Sequence, residues 1–215
     1  MMERIGFGLI VLTVISWCSW RSWSSTRVWC PVDTPISLNK GSQITTGEFK
    51  VNVSGPYEIE VEANANSDSS LNLLSCALGA GPVWPAKTCA SPSVLKLSWI
   101  LTADDKTIAQ GSSDDLPGSG GSTATTAIRT IGYFTGQKGR RYKLVVNNLT
   151  DASSLARAEP RLRVSVGETI YESALVATGL LNVVCVGLSA IGIVLVIVSR
   201  IMIRRSKKQI GVVAT

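Results

Sequence analysis

The sequence predicts a mainly β protein, with an antiparallel β-sandwich outside a membrane, flanked by two transmembrane α-helices. Three observations carry this prediction. An uncharged 26-residue stretch, Ala174–Ser199, lies toward one end of the 215-residue chain. A second apolar run, Ile5–Trp20, lies toward the other. Between them, polar and apolar residues alternate with the period of a half-buried strand.

Residues 1–24 pair a short basic start with the apolar run Ile5–Trp20. That length suits both a secretory signal peptide and a short spanning helix. A signal peptide ends on small residues at −3 and −1. Ser22-Trp23-Ser24 and Ser16-Trp17-Cys18 approach that pattern, with Arg21 beside both. A retained signal-anchor accounts better for Trp17, Trp20 and Trp23, which recur every three residues on one side of a helix. Indole rings favour the membrane–water boundary, and Arg21 snorkels outward from the same level. An uncleaved signal peptide is the other form of this reading.

Residues 28–168 read as the extracytoplasmic domain. "YEIEVEA" sets Tyr57, Ile59, Val61 and Ala63 on one face and Glu58, Glu60 and Glu62 on the other. "RLRVSV" repeats the pattern with Leu162, Val164 and Val166 inward. "LKLSWIL", "YKLVV" and Gly47–Val53 are expected to be further strands. Turn residues separate them at Ser54-Gly55-Pro56, Ala103–Lys106 and Lys138-Gly139-Arg140. No segment here shows a useful helical period, and Asp151–Glu159 suits one or two turns at most. Short strands at this spacing are similar in general to jelly-roll or immunoglobulin-like modules, a likeness that carries no function. "GEFKVNVSGPYEIEV" and "GYFTGQKGRRYKLVV" share a Gly-x-Phe start and a Tyr-led strand, either as equivalent hairpins or as ordinary hairpin grammar.

Two loops stand out. Cys76 and Cys89 bracket an apolar Gly/Pro/Trp segment and are expected to form a disulfide in an oxidising compartment. Closing such a loop stabilises a fold by roughly 3 kcal/mol. Between those cysteines, Val83 and Trp84 sit flanked by Pro82 and Pro85 as a partner-contact loop. Folding of Trp84 back onto the sheets is the competing expectation. Gly111–Ala127, rich in Gly, Ser and Thr, reads as a long exposed loop. Cys30 is left over, close to the membrane, as a free, lipidated or intermolecularly paired thiol. The sequons at Asn52 and Asn148 matter only in a eukaryotic secretory pathway.

Residues 174–199 are expected to cross the membrane, since about 20 apolar residues suffice. Thr178, Asn182, Cys185, Ser189 and Gly192 follow helical spacing and form one stripe, the expected helix–helix interface. Asn182 carries most weight, because an amide in lipid needs a partner. In the first helix, Gly6, Thr13, Ser16 and Trp20 share a face suited to meet that stripe. Seven residues separate Val166 from Ala174, a link of at most about 25 Å.

The net charge of +6 sits almost wholly beside the apolar runs, because residues 28–168 hold thirteen cations and thirteen anions. Residues 200–215, with Arg200, Arg204, Arg205, Lys207 and Lys208, read as a basic cytoplasmic tail. Both termini are then cytoplasmic and the central domain extracytoplasmic. The aromatic and basic residues, Trp17, Trp20, Trp23, Arg204, Arg205, Lys207 and Lys208, mark the membrane interfaces. This distribution argues for contact with membrane lipid and against nucleic acid.

The chain contains no histidine. That excludes Ser-His-Asp and Cys-His catalysis and most zinc sites. Asp104-Asp105 and Asp114-Asp115 read as solvated turns more readily than as a calcium loop. No cofactor or metal is expected. The expected function is that of a non-enzymatic, membrane-anchored interaction protein in a cell envelope: an accessory or structural subunit whose partners are other membrane proteins or a second copy. The alternative is a cell-surface module that binds a small-molecule or glycan ligand through the Trp84 and Gly111–Ala127 loops. A histidine-free enzyme ranks third.

Overall fold

The computed structural model describes residues 2–65, 70–86 and 88–212, with side chains described as far as Arg205. The chain forms two compact units. Residues up to Arg27 and from Tyr171 onward make a helical unit, and Val28–Ile170 make a β unit.

The β unit consists of two antiparallel sheets. The strands are β1 (Val32–Pro35), β2 (Gln43–Thr45), β3 (Phe49–Lys50), β4 (Gly55–Asn64), β5 (Leu97–Ala103), β6 (Lys106–Ser112), β7 (Gly120–Ser122), β8 (Thr126–Gly136), β9 (Arg141–Asn148) and β10 (Arg161–Val166). The first sheet has the order β1-β10-β4-β8-β7. The second has the order β2-β9-β5-β6, with β3 also paired to β9. A single buried cluster draws on both sheets: Tyr57, Ile59, Val61, Leu162 and Val164 from the first, and Leu97, Trp99, Leu101, Leu144 and Val146 from the second.

The period-two patterns account for this core. In β4 the apolar set is fully buried, while the three glutamates lie on the opposite face. There, Glu60 accepts a hydrogen bond from Ser165 Oγ at 2.7 Å and Glu62 pairs with Arg163. A bulge between Ile59 and Glu60 sets Ile59 opposite Gly132 and Glu60 opposite Thr130, so Ile131 faces no residue of β4. The freed Ile131 carbonyl accepts the indole N–H of Trp99 at 2.7 Å, a bond from one sheet to the other. The β5–β6 turn places Asp104 and Asp105 at φ 51° and 58°, left-handed values that short aspartate side chains tolerate.

Several sequence expectations are corrected. Of the Gly47–Val53 segment, only Phe49–Lys50 joins a ladder, although Val51 and Val53 are buried. A helix not expected from the sequence, α2 (Leu71–Leu78), precedes the disulfide loop. Ser70 caps it by accepting from Leu73 N–H at 3.2 Å, and Gly79 ends it at φ 87°. The Gly111–Ala127 segment is not a long free loop. It contains the end of β6, a 3₁₀ turn at Ser113–Asp115, β7 and the start of β8, and Ser113 and Ala127 are buried. The sequon at Asn148 is closed to modification, since that side chain is buried and donates to Leu38 O and Asn39 O.

The helical unit pairs α1 (Met2–Ser25) with α3 (Glu168–Val212), counted within the unit from Tyr171. Both are long and apolar enough to cross a membrane. α3 begins at Glu168 rather than Ala174, so Gly167 alone separates it from β10. The expected seven-residue link is therefore mostly helix, because residues 168–173 satisfy their backbone within the helix instead of in a strand or loop.

Candidate functional site

The disulfide joins Cys76, in α2, to Cys89, with a Cα–Cα distance of 5.5 Å. The cap and the α2 side chains brace the loop it closes. Asn72 Oδ1 accepts from Val83 N–H at 2.9 Å, and Ser75 Oγ donates to Gly81 O at 2.7 Å. Ala86 N–H closes a turn on Val83 O at 2.9 Å. Trp84, at the tip of this turn, is 89% exposed. The alternative of a tryptophan folded back onto the sheets is thereby overturned. Val83 is half-buried.

Beside the stapled loop lies a cleft of about 430 Å³. Its walls come from the α2 end (Gly79, Gly81), the Ser91–Lys96 segment and the Asp114–Gly118 turn. The two loops singled out in the sequence therefore converge: a Cβ on Gly81 would stand 3.8 Å from Gly118 O. At the cleft lies Arg129 of β8, only 4% exposed. Its Nη1 donates to Gly79 O and, at 3.4 Å, to Ser119 O. Its Nη2 donates to Ser113 O at 2.6 Å. One guanidinium thus ties together α2, the turn after β6 and the approach to β7. Its Nε has no acceptor among the described residues. Burial lowers the Arg129 pKa from its ordinary value, while the charge of Asp114 acts in the opposite direction. Asp114 itself pairs with Lys96 at 3.6 Å. The sequence reading missed Arg129. The available signal was a lone charge inside the apolar run of β8.

The acidic turns are spoken for. Asp104 pairs with Arg140 at 3.1 Å, and Asp115 accepts from Ser112 N–H at 2.7 Å. Among the described residues, no group of three His, Cys, Asp or Glu side chains gathers where a metal ion would sit. Cys30 Sγ donates to Val32 O at 3.0 Å. At Arg163, burial acts to lower the pKa, but the adjacent Cys30 and Glu62 outweigh it and raise the value.

In the helical unit, four of the five stripe residues meet α1. Gly192 lies against Gly6, so close that a Cβ on either would come within 3 Å of the other's carbonyl oxygen. Ser189 and Thr13 share a hydroxyl hydrogen bond of 2.9 Å, and Cys185 Sγ approaches Thr13 O at 3.8 Å. Trp20 Nε1 donates to Thr178 Oγ1 at 3.2 Å, and Arg200 pairs with Glu3 at 3.0 Å. Asn182 is the exception. It is exposed and makes no hydrogen bond to α1 among the described residues, although Thr178 and Cys185 on either side of it do. Of the residues expected at the membrane interfaces, Trp17 lies under the Arg21 guanidinium at 5.6 Å and Trp23 under that of Arg27 at 3.8 Å. Trp20 and Trp23 have ring centroids 4.8 Å apart. Arg204 and Arg205 are exposed on α3. The side chains of Lys207 and Lys208 lie outside the described residues.

No protein-family model matches the sequence, and no curated protein matches it as a relative. Among solved structures, the chain is similar to a protein from Sulfurospirillum deleyianum, at 14% identity and a TM-score of 0.47, over 64% of this chain and 97% of that one. It is also similar to murine APRIL, at 7% identity and a TM-score of 0.24, over 65% of this chain and 100% of that one.

Proposed function

We propose that this chain is a non-enzymatic, membrane-anchored interaction protein, an accessory subunit that docks on a neighbouring membrane protein. In this reading α1 and α3 span the membrane, both termini are cytoplasmic, and the β unit is an extracytoplasmic antiparallel sandwich of the jelly-roll or immunoglobulin-like kind. The carrying observation is Trp84: a large apolar side chain left 89% exposed at the tip of a loop held by a disulfide and two side-chain hydrogen bonds. Holding a tryptophan in water forgoes its burial energy, whereas presenting it rigidly reduces the entropy lost on docking. Interfaces concentrate their binding energy in such anchors. Asn182 supports the same reading from the membrane side, since its exposed amide finds a better partner on another helix than in lipid.

The test places a photo-crosslinking residue at position 84 in one variant and at position 182 in another, in native membranes. Discrete adducts with a membrane protein are expected at both positions, together with co-purification in mild detergent that Trp84→Ala weakens. A chain that yields no adduct and runs as a lone monomer in several detergents refutes the proposal. The Arg129 cleft favours the second reading, a surface module that captures a small ligand.

A further inference from the structure

We propose that the cleft between the α2 terminus, Ser91–Lys96 and the Asp114–Gly118 turn binds a small organic monoanion through its carboxylate. The starting point is a buried charge with no carboxylate bonded to it among the described residues. Arg129 is 4% exposed, and all its hydrogen bonds go to backbone carbonyls. Carbonyl dipoles solvate a guanidinium but carry no formal charge, and no carboxylate among the described residues bonds to it. Its Nε is also left over, buried and without an acceptor among the described residues. Three of its five N–H groups are taken by these carbonyls, which fix the guanidinium in place; Nε–H and one Nη2–H remain for the oxygens of a carboxylate.

The lining sets the class of ligand. Its formal charges, among the described residues, are Arg129 and Lys96 against Asp114, a surplus of one positive charge. One carboxylate balances that surplus, whereas a dianion overshoots it. Ser91 supplies a hydroxyl at the same wall, while the Ser93 hydroxyl is held by the backbone of Ala77 and Leu95. A Cβ on Gly79 would stand 2.6 Å from Ser93 Oγ and 3.7 Å from the Arg129 guanidinium carbon, which measures how closely hydroxyl and cation converge. Pro92 and Pro117, both exposed, offer apolar surface for a carbon skeleton. At about 430 Å³ the cleft lies within the usual size range of ligand pockets. It suits one acidic sugar or one acylated amino acid, two sources of the same carboxylate.

The experiment uses the full chain in neutral detergent micelles at constant ionic strength. Sodium glucuronate and sodium N-acetylalaninate are titrated by calorimetry, with glucose and sodium chloride as neutral and inorganic controls. Saturable binding is expected from at least one of the carboxylates. Binding of glucuronate alone identifies the sugar source, of N-acetylalaninate alone the acyl amino acid, and of both the carboxylate as the determinant. Asp114→Asn removes the opposing charge and is expected to tighten binding about three- to fivefold; Lys96→Gln is expected to weaken it by a similar factor. These two exposed positions keep the test decisive if Arg129→Gln fails to fold. Two results overturn the proposal: neither carboxylate binding above the controls, or an affinity unmoved by both Asp114→Asn and Lys96→Gln. Either leaves docking through Trp84 untouched, because the crosslinking at position 84 does not depend on the cleft.

Discussion

The indole of Trp99 is wedged between two glycines, and substituting one of them measures how tightly the two sheets are joined. A Cβ on Gly132 would stand 2.3 Å from Trp99 Cζ2, 2.4 Å from Cε2 and 2.7 Å from Nε1. The ring has little room to retreat. Its N–H is bonded to Ile131 O at 2.7 Å, and on its other side a Cβ on Gly111 would stand only 3.0 Å from Cζ2. Gly132→Ala is therefore expected to destabilise the chain by about 2–3 kcal/mol through overpacking. In a site with free space the same change stabilises by about 0.5 kcal/mol, by restricting the unfolded chain. Trp99→Phe alone is expected to cost about 3 kcal/mol, since it leaves the Ile131 carbonyl unpaired and deletes buried ring atoms. In the double variant, the new methyl occupies space the indole has vacated. Its loss should therefore fall short of the summed single losses by at least about 1.5 kcal/mol. Urea unfolding of the four chains in detergent, followed by far-UV circular dichroism, reads this coupling. Additivity within about 0.5 kcal/mol would show that the indole is not what the alanine methyl meets, and would refute the account.

Three further outcomes are expected. Cys76→Ser with Cys89→Ser, or reduction of the native chain, should lower stability by about 3 kcal/mol, from loss of a cross-link spanning 13 positions; a thermal midpoint unchanged by reductant contradicts this. Glu58 has its carboxyl pKa raised from 4.5, first by burial, then by the charge of Glu60 and more weakly by that of Glu168, against a backbone hydrogen bond at Glu168 that lowers it. The folded chain thus holds that proton more tightly than the unfolded chain, so a penalty grows as pH rises above the ordinary carboxylate value and is absent below it. Glu58→Gln should stabilise at about pH 7 and lose that advantage by about pH 4; a pH-independent difference in urea midpoints refutes the assignment. Finally, Thr13→Cys should be joined to Cys185 by a short bifunctional thiol reagent, given the 3.8 Å approach of Cys185 Sγ to Thr13 O, and Gly192→Leu should abolish the product by forcing α1 away. Unchanged cross-linking in the Gly192→Leu variant overturns that packing.

How much of this was legible depended on how local the governing physics is. β4 and β10 were readable because each buries one face, so Ile59, Val61, Leu162 and Val164 had to alternate with charged or polar neighbours. α2 was not, because eight residues span barely two helical turns, too few to distinguish a helical period from an apolar run. The Gly111–Ala127 segment read as a free loop from its composition. What ties it down is Arg129, bonded to carbonyls 10 and 16 positions away here and 50 positions away at Gly79. A backbone carbonyl leaves no trace in the side-chain sequence.

The amino-acid sequence by itself determined the two long apolar helices, the inward faces of the main strands, the pairing of Cys76 with Cys89 and the absence of histidine. Each follows from residue type and spacing along a single segment. Only the tertiary structure decided that Trp84 stands in solvent, that Gly6 meets Gly192 while Asn182 stays exposed, and that Arg129 is buried beside a cleft. Those outcomes depend on which distant segments pack together, because burial and charge compensation are properties of a neighbourhood in space.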